Sequence, residues 1–116
     1  MAQLVGLIVT DDDQFKKHFG RLLRASAIPI SVIDERAMRD TTPPDLVIVD
    51  TRGDASTSMS SIERLRAGAA GAGIFAIAHA ADPELILQSM RAGANEFFTW
   101  PPDEETFHGA VRRTAP

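Results

Sequence analysis

Aspartates are the residues of this chain best equipped for chemistry. Asp11-Asp12-Asp13 follow the apolar run Leu4-Val5-Gly6-Leu7-Ile8-Val9, and Asp50 closes a second run, Leu46-Val47-Ile48-Val49. Carboxylates brought together from two such ends hold a hard cation such as Mg2+ through oxygen ligands. They also raise one another's pKa, or leave one of their number as a nucleophile toward a phosphoryl donor. A plainer purpose suits the same residues. Asp12 or Asp13 accepts the unpaired N–H groups at a helix start, and Asp50 closes a loop. Spacing alone leaves both readings open.

Other candidate chemistry is thin. Gly68-Ala69-Ala70-Gly71-Ala72-Gly73 lacks the G-x-G-x-x-G spacing of a nucleotide loop, precedes a strand instead of following one, and has no Lys-Ser/Thr after it. It reads as a flexible helix-to-strand connection. His79 reads as a polar residue at a strand end, and His18 and His108 as helix-surface residues. Neither G-x-S-x-G nor H-E-x-x-H occurs, so hydrolase readings have no motif behind them.

The elements that must position these groups alternate regularly. Apolar runs at 4–9, 30–33, 46–49, 74–78 and 97–100 read as strands, the third being rich in β-branched residues and the fifth stopped by Pro101-Pro102. Phe15, Phe19, Leu22 and Leu23 form a helical stripe behind Asp12 and Asp13. A short helix is expected over 36–42. Ser60 and Glu63 have capping-box spacing ahead of Ile62 and Leu65, with Gly68 as a stop. Asp82-Pro83 opens a fourth helix, and Asp103-Glu104-Glu105 a fifth that closes on Arg112-Arg113. Five strand–helix units predict an α/β fold, a doubly wound five-stranded parallel sheet with helices on both faces. In such sheets the chemistry gathers beyond the carboxyl ends of the strands. Here those ends are Thr10-Asp11-Asp12, Asp50-Thr51-Arg52, Ala78-His79 and Trp100-Pro101.

The 116 residues are expected to form a single domain, 1–116. The absence of cysteine excludes disulfide scaffolds and thiolate chemistry. A net charge of −4 lacks the basic balance of a nucleic-acid binder. No apolar run approaches membrane-spanning length and no signal peptide is visible, so a cytoplasmic location without membrane insertion is expected.

Order and spacing together carry a resemblance over nearly the whole chain. Leu7-Ile8-Val9-Thr10-Asp11-Asp12-Asp13-Gln14-Phe15, Pro44-Asp45-Leu46-Val47-Ile48-Val49-Asp50, Met90-Arg91-Ala92-Gly93-Ala94 within the segment from Asp82 to Asn95, and Phe97 to Pro101 resemble the CheY-like receiver domain of two-component response regulators. The resemblance implies a flavodoxin/CheY-like (βα)5 fold. It also implies a phosphoacceptor position at Asp50, which in the family takes a phosphoryl group from a histidine kinase. Mg2+ would be held weakly by Asp11, Asp50 and the Arg52 backbone, joined by Asp12 in an alignment that needs an insertion. The ungapped alignment sets the family's acid pair on Thr10 and Asp11, losing one acid. Ala78 stands where the family has Thr or Ser, and Trp100 where it has the Lys that contacts phosphoryl oxygens. Thr10, Ala78 and Trp100 are therefore degenerate positions, with Phe97 at the aromatic switch position. Trp100 either fills the emptied pocket or anchors an interface.

Phosphoryl transfer depends on positioning and on neutralising charge on the equatorial oxygens, and those aids are depleted here. The resemblance thus implies a pseudo-receiver: a regulatory, protein-interaction module acting without phosphorylation, not an enzyme, with no required cofactor. The alternative is a working receiver phosphorylated on Asp50 with Mg2+. A metal-dependent phosphatase using Asp50 and Asp11 has no specific support. Ala78 through Phe97 is also similar to the N-terminal receiver-like domain of CpaE/TadZ pilus-assembly proteins, which precedes a ParA/MinD-type ATPase. The implied partners are such an ATPase domain, a histidine kinase or a second copy. Homodimerisation would use the fourth helix, fifth strand and fifth helix. Five such units are expected to occupy the 116 residues, either as an excised domain or as a free-standing relative.

Overall fold

Continuous apolar runs suit strands covered on both faces, and the computed structural model arranges them in that way. It describes residues 4–33 and 43–114, so the helix expected over 36–42 lies outside the described residues. In chain order the elements are β1 (Leu4–Val9), α1 (Asp13–Arg24), β2 (Ile30–Ile33), β3 (Leu46–Asp50), α2 (Ala55–Gly68), β4 (Gly73–Ala78), α3 (Pro83–Ala92), β5 (Glu96–Thr99) and α4 (Glu104–Thr114). The fourth and fifth helices of the sequence reading are α3 and α4 here. All five strands are parallel, in the order β2-β1-β3-β4-β5. Strand order reverses between β1 and β3, which opens a crevice at their carboxyl ends. Thr10 through Asp12 and Asp50 through Arg52 sit at that crevice.

Every residue of β4 is buried, and so are the first four of β3. One sheet face carries Ile8, Ile48, Phe75 and Ile77 against Phe15, Phe19 and Leu22 of α1 and Phe107 and Val111 of α4. The other carries Leu7, Val47, Val49, Ile74 and Ala76 against Ile62 and Leu65 of α2. Burying a single Phe, Leu or Ile side chain stabilises a fold by about 1.5–3 kcal/mol, so these two layers dominate.

The helix starts are set by aspartates. Asp12 Oδ1 accepts from the Gln14 and Phe15 N–H groups, Asp54 Oδ2 from Thr57, Asp82 Oδ1 from Glu84 and Asp103 Oδ2 from Thr106. The plainer reading of Asp12 is therefore correct as far as it goes. One boundary is corrected: α2 begins at Ala55 behind Asp54, well ahead of the Ser60–Glu63 capping box. Its first turns, Ala55 to Ser61, have no apolar stripe to announce them.

Candidate functional site

Asp50 ends β3 with its carboxylate facing the mouth of β1, and three groups hold it. The Thr10 hydroxyl donates to Oδ2 at 2.6 Å. The Arg52 guanidinium grips both oxygens, Nε to Oδ1 at 2.8 Å and Nη2 to Oδ2 at 2.9 Å, and the Arg52 backbone N–H donates to Oδ1 at 3.0 Å. The same Nη2 donates to Asp12 Oδ2 at 2.9 Å. One arginine thus bridges the acids at the ends of two neighbouring strands. Charge-assisted, two-pronged pairs of this kind are about twice as strong as neutral hydrogen bonds.

Aromatic rings fix the guanidinium from behind. Its Cζ lies 4.9 Å from the ring centroids of both Phe15 and Trp100. Those two rings stack at 5.3 Å with their planes 19° apart. Trp100, just past β5, is half-buried and packed on the core through Phe15 and Phe19. The Arg52 and Asp50 side chains are each only 13% exposed.

The electrostatics follow from this enclosure. Burial pushes the Asp50 carboxyl's pKa upward, but the Arg52 guanidinium, the Thr10 hydroxyl and the Arg52 N–H outweigh it and hold the group below its ordinary value. The Arg52 pair also draws Asp12 down, helped by the N–H groups at the start of α1. Both acids are ionised at neutral pH. Arg52 in turn is held even more firmly protonated than a free arginine, through its bonds to Asp50 and Asp12.

The remaining expected residues fall as follows. Asp11 is exposed, and none of the hydrogen bonds among the described residues involves it. It does line a cavity of about 610 Å³ with Thr10, Asp12, Asp50, Asp54 and Arg64, between the strand ends and α2. Ala78 is buried and has no donor to offer. Phe97 packs against the α2 side of the sheet.

Two histidines depart from expectation. His18 and His108 were expected on helix surfaces, yet both are half-buried. His108 Nε2 lies 2.9 Å from the Leu22 carbonyl, linking α4 to α1. The His18 ring meets Trp100 edge-on at 4.9 Å, and its Nε2 is buried with no hydrogen-bond partner. The stripe through Phe15, Phe19 and Leu22 is wide enough to draw His18 in at its margin.

Sequence reasoning assigned Arg52 only a backbone role and missed its side chain. The available signal was a lone cation two residues beyond Asp50 in a chain with Asp11 and Asp12 at the neighbouring strand end.

Comparison with known proteins agrees with this architecture. No family model matches the chain. It is 25% identical, over 97% of its length, to the C4-dicarboxylate transport transcriptional regulatory protein DctD of Pseudomonas aeruginosa, and spans a quarter of that relative's length. Among solved structures, a pilus-assembly protein, CpaE, from Burkholderia thailandensis superposes with a TM-score of 0.84 at 19% identity, covering 97% of this chain and 98% of that one. A response regulator from Thermotoga maritima superposes with a TM-score of 0.83 at 18% identity, with the same coverage. The fold is that of CheY-like receiver domains, CpaE pilus-assembly proteins among them.

Proposed function

We propose that this chain is a receiver-fold protein-interaction module whose surface works without phosphorylation of Asp50. One observation carries the reading: both Asp50 oxygens are already held by the Arg52 guanidinium and the Thr10 hydroxyl. A phosphoryl donor would have to approach a carboxylate whose charge is spent internally. The donors that stabilise phosphoryl transfer are missing where the family resemblance would put them, at Ala78 and Trp100. On this reading the chain is regulatory and not an enzyme. It acts in the cytoplasm, and its partner is a protein. The likeness to CpaE supports a place in pilus assembly, next to an ATPase domain. No described helix is long and apolar enough to cross a membrane.

The face made by α3, β5 and α4 is the one we assign to the partner, a second copy of the chain being its occupant. Leu87 is 54% exposed and Met90 39%, beside a groove formed with Ile86, Phe97 and Pro102. Glu84, Leu87 and Arg91 share one helix face. Antiparallel pairing of two α3 helices about Leu87 sets each Glu84 against the other copy's Arg91. Sedimentation equilibrium is expected to find a dimer that Leu87→Glu dissociates. A strict monomer at high concentration rejects the dimer.

Phosphorylation independence is tested with the sole tryptophan, Trp100, as reporter. Acetyl phosphate or beryllium fluoride with Mg2+ is expected to leave its fluorescence and the intact mass of the protein unchanged. A saturable change abolished by Asp50→Asn would establish a working receiver instead.

A further inference from the structure

We infer that Arg52 is the resident cation of this site: its guanidinium takes the place between Asp12 and Asp50 that a divalent cation would need, and closes the carboxylate pair to Mg2+. This deepens the phosphorylation-independent reading and rests on it.

The argument begins with a single atom. Arg52 Nη2 lies 2.9 Å from Asp12 Oδ2 and 2.9 Å from Asp50 Oδ2, donating to carboxylates at the ends of two different strands. A hard cation bridging the same acids would sit between the same oxygens, at 2.0–2.6 Å from each. Both cannot be there, because the nitrogen and its hydrogens fill that space and a like charge opposes the metal. The other oxygens are engaged as well. Asp50 Oδ1 accepts from Arg52 Nε and the Arg52 N–H, while Asp12 Oδ1 caps α1. Among the described residues no group of three or more His, Asp or Glu is placed to hold a metal ion. The Asp12–Asp50 pair therefore has no place for Mg2+ while Arg52 is seated.

What keeps Arg52 seated is equally specific. Phe15 and Trp100 offer two stacked faces under the guanidinium, each 4.9 Å from Cζ. Aromatic faces attract cations most strongly when water is excluded, as it largely is here. Trp100 stands where the resemblance implies a lysine. A lysine there would put a second cation beside Arg52, whereas tryptophan provides a surface for it to rest on. Arg52 and Trp100 thus form one device: a fixed internal charge and its support, in place of a diffusible metal. The consequence for function is a strand-end site in which one fixed arginine charge is shared by two carboxylates, so that the surface it governs does not respond to Mg2+.

The test measures metal binding directly. Mn2+ and Mg2+ are titrated into the wild-type protein, Arg52→Ala, Arg52→Gln and Arg52→Ala/Asp50→Asn, followed by Trp100 fluorescence and by Mn2+ broadening of amide signals at 10–12 and 50–52. The wild-type protein is expected to stay silent through millimolar metal. Arg52→Ala and Arg52→Gln are expected to bind Mn2+ at least about tenfold more tightly, a like charge having been removed from the site. The double variant is expected to lose that gain. If neither arginine variant is folded by circular dichroism, the wild-type protein still decides: its Arg52 Nε–H signal must stay unmoved by Mg2+. Folded but silent arginine variants overturn the inference, as does wild-type binding of Mg2+ with displacement of that signal. Phosphorylation of the wild-type protein by acetyl phosphate would instead defeat the reading beneath it. A wild-type protein that is neither phosphorylated nor metal-bound, with silent variants, sinks only the role given to Arg52.

Discussion

The oxygens of Asp50 are as fully used as those of a structural salt bridge, and the residue should behave as one. Asp50→Asn keeps the shape and can still accept from Thr10, but it removes the charge that faces Arg52. At pH 7 the loss is expected to be about 1–3 kcal/mol, the usual worth of hydrogen bonds to charged groups. Its pH dependence has a definite sign. Asp50 is held below its ordinary carboxylate value, so its stabilisation is complete above about pH 4 and fades as pH falls through the lower folded value. Urea unfolding should therefore separate wild type and variant at pH 7 and bring them together in strong acid. A separation that persists unchanged at pH 3 would show that the charge contributes nothing. Asp50 itself was legible in the sequence, because an acid ending a β-branched run is conspicuous. The Arg52 side chain was not. An arginine after a turn reads as solvated, and its partners Asp12, Phe15 and Trp100 come from two distant segments. Only the closure of the sheet brings them together.

Between elements the most heavily used side chain is Arg66 of α2. Its guanidinium donates to the carbonyls of Ala70 at 2.9 Å, Ala72 at 2.7 Å and Gly93 at 2.7 Å, and to Asn95 Oδ1 at 2.6 Å. It thereby ties the end of α2, the entry to β4 and the end of α3 into one corner. Gly93 turns the chain there with φ of +130°, and a Cβ on it would stand 2.8 Å from Arg66 Cβ. Substitutions at two positions read this corner. Arg66→Met should cost about 2–3 kcal/mol, and Arg66→Lys should recover little of it because an ammonium cannot fork between several carbonyls. Gly93→Ala should cost at least about 1 kcal/mol, from strain at positive φ as well as from the clash. Urea midpoints check both, and a full rescue by Arg66→Lys would reduce the clamp to simple charge. Element type was readable throughout this region, since the run at 74–78 and the Asp82-Pro83 start both appear where expected. The start of α2 was not. Ala55 to Ser61 offers small and hydroxylated residues without a stripe, and the cap that decides the boundary, Asp54, is one aspartate among many.

At the scale of the whole molecule the alternation of apolar runs and stripes was enough to predict the parallel doubly wound sheet, because the central runs, β3 and β4, are apolar without a break and so suit strands covered on both faces. What alternation does not convey is how the α1 and α4 layer meets the loop after β5, and there His18 introduces a pH dependence. Its ring lies among Phe19, Trp100 and Arg21, with Glu104 of α4 as the nearby acid. Burial lowers its pKa first, the Arg21 charge adds to that, and Glu104 opposes them. A histidine whose folded value lies below the unfolded value of about 6.5 favours folding only while it is neutral. Its contribution is thus complete above about pH 6.5 and is lost as pH falls toward the lower folded value. Protonation would add its proton at Nδ1, the nitrogen that accepts from the Arg21 guanidinium, so that bond is lost and a cation is set against Arg21. Thermal unfolding of the wild-type protein should therefore show Tm declining between pH 7 and pH 5. His18→Phe should flatten that decline and be the more stable protein at pH 5. Equal slopes for the wild-type protein and His18→Phe would show that His18 is not the origin of the decline between pH 7 and pH 5, a window in which the carboxylates held by Arg52 stay ionised.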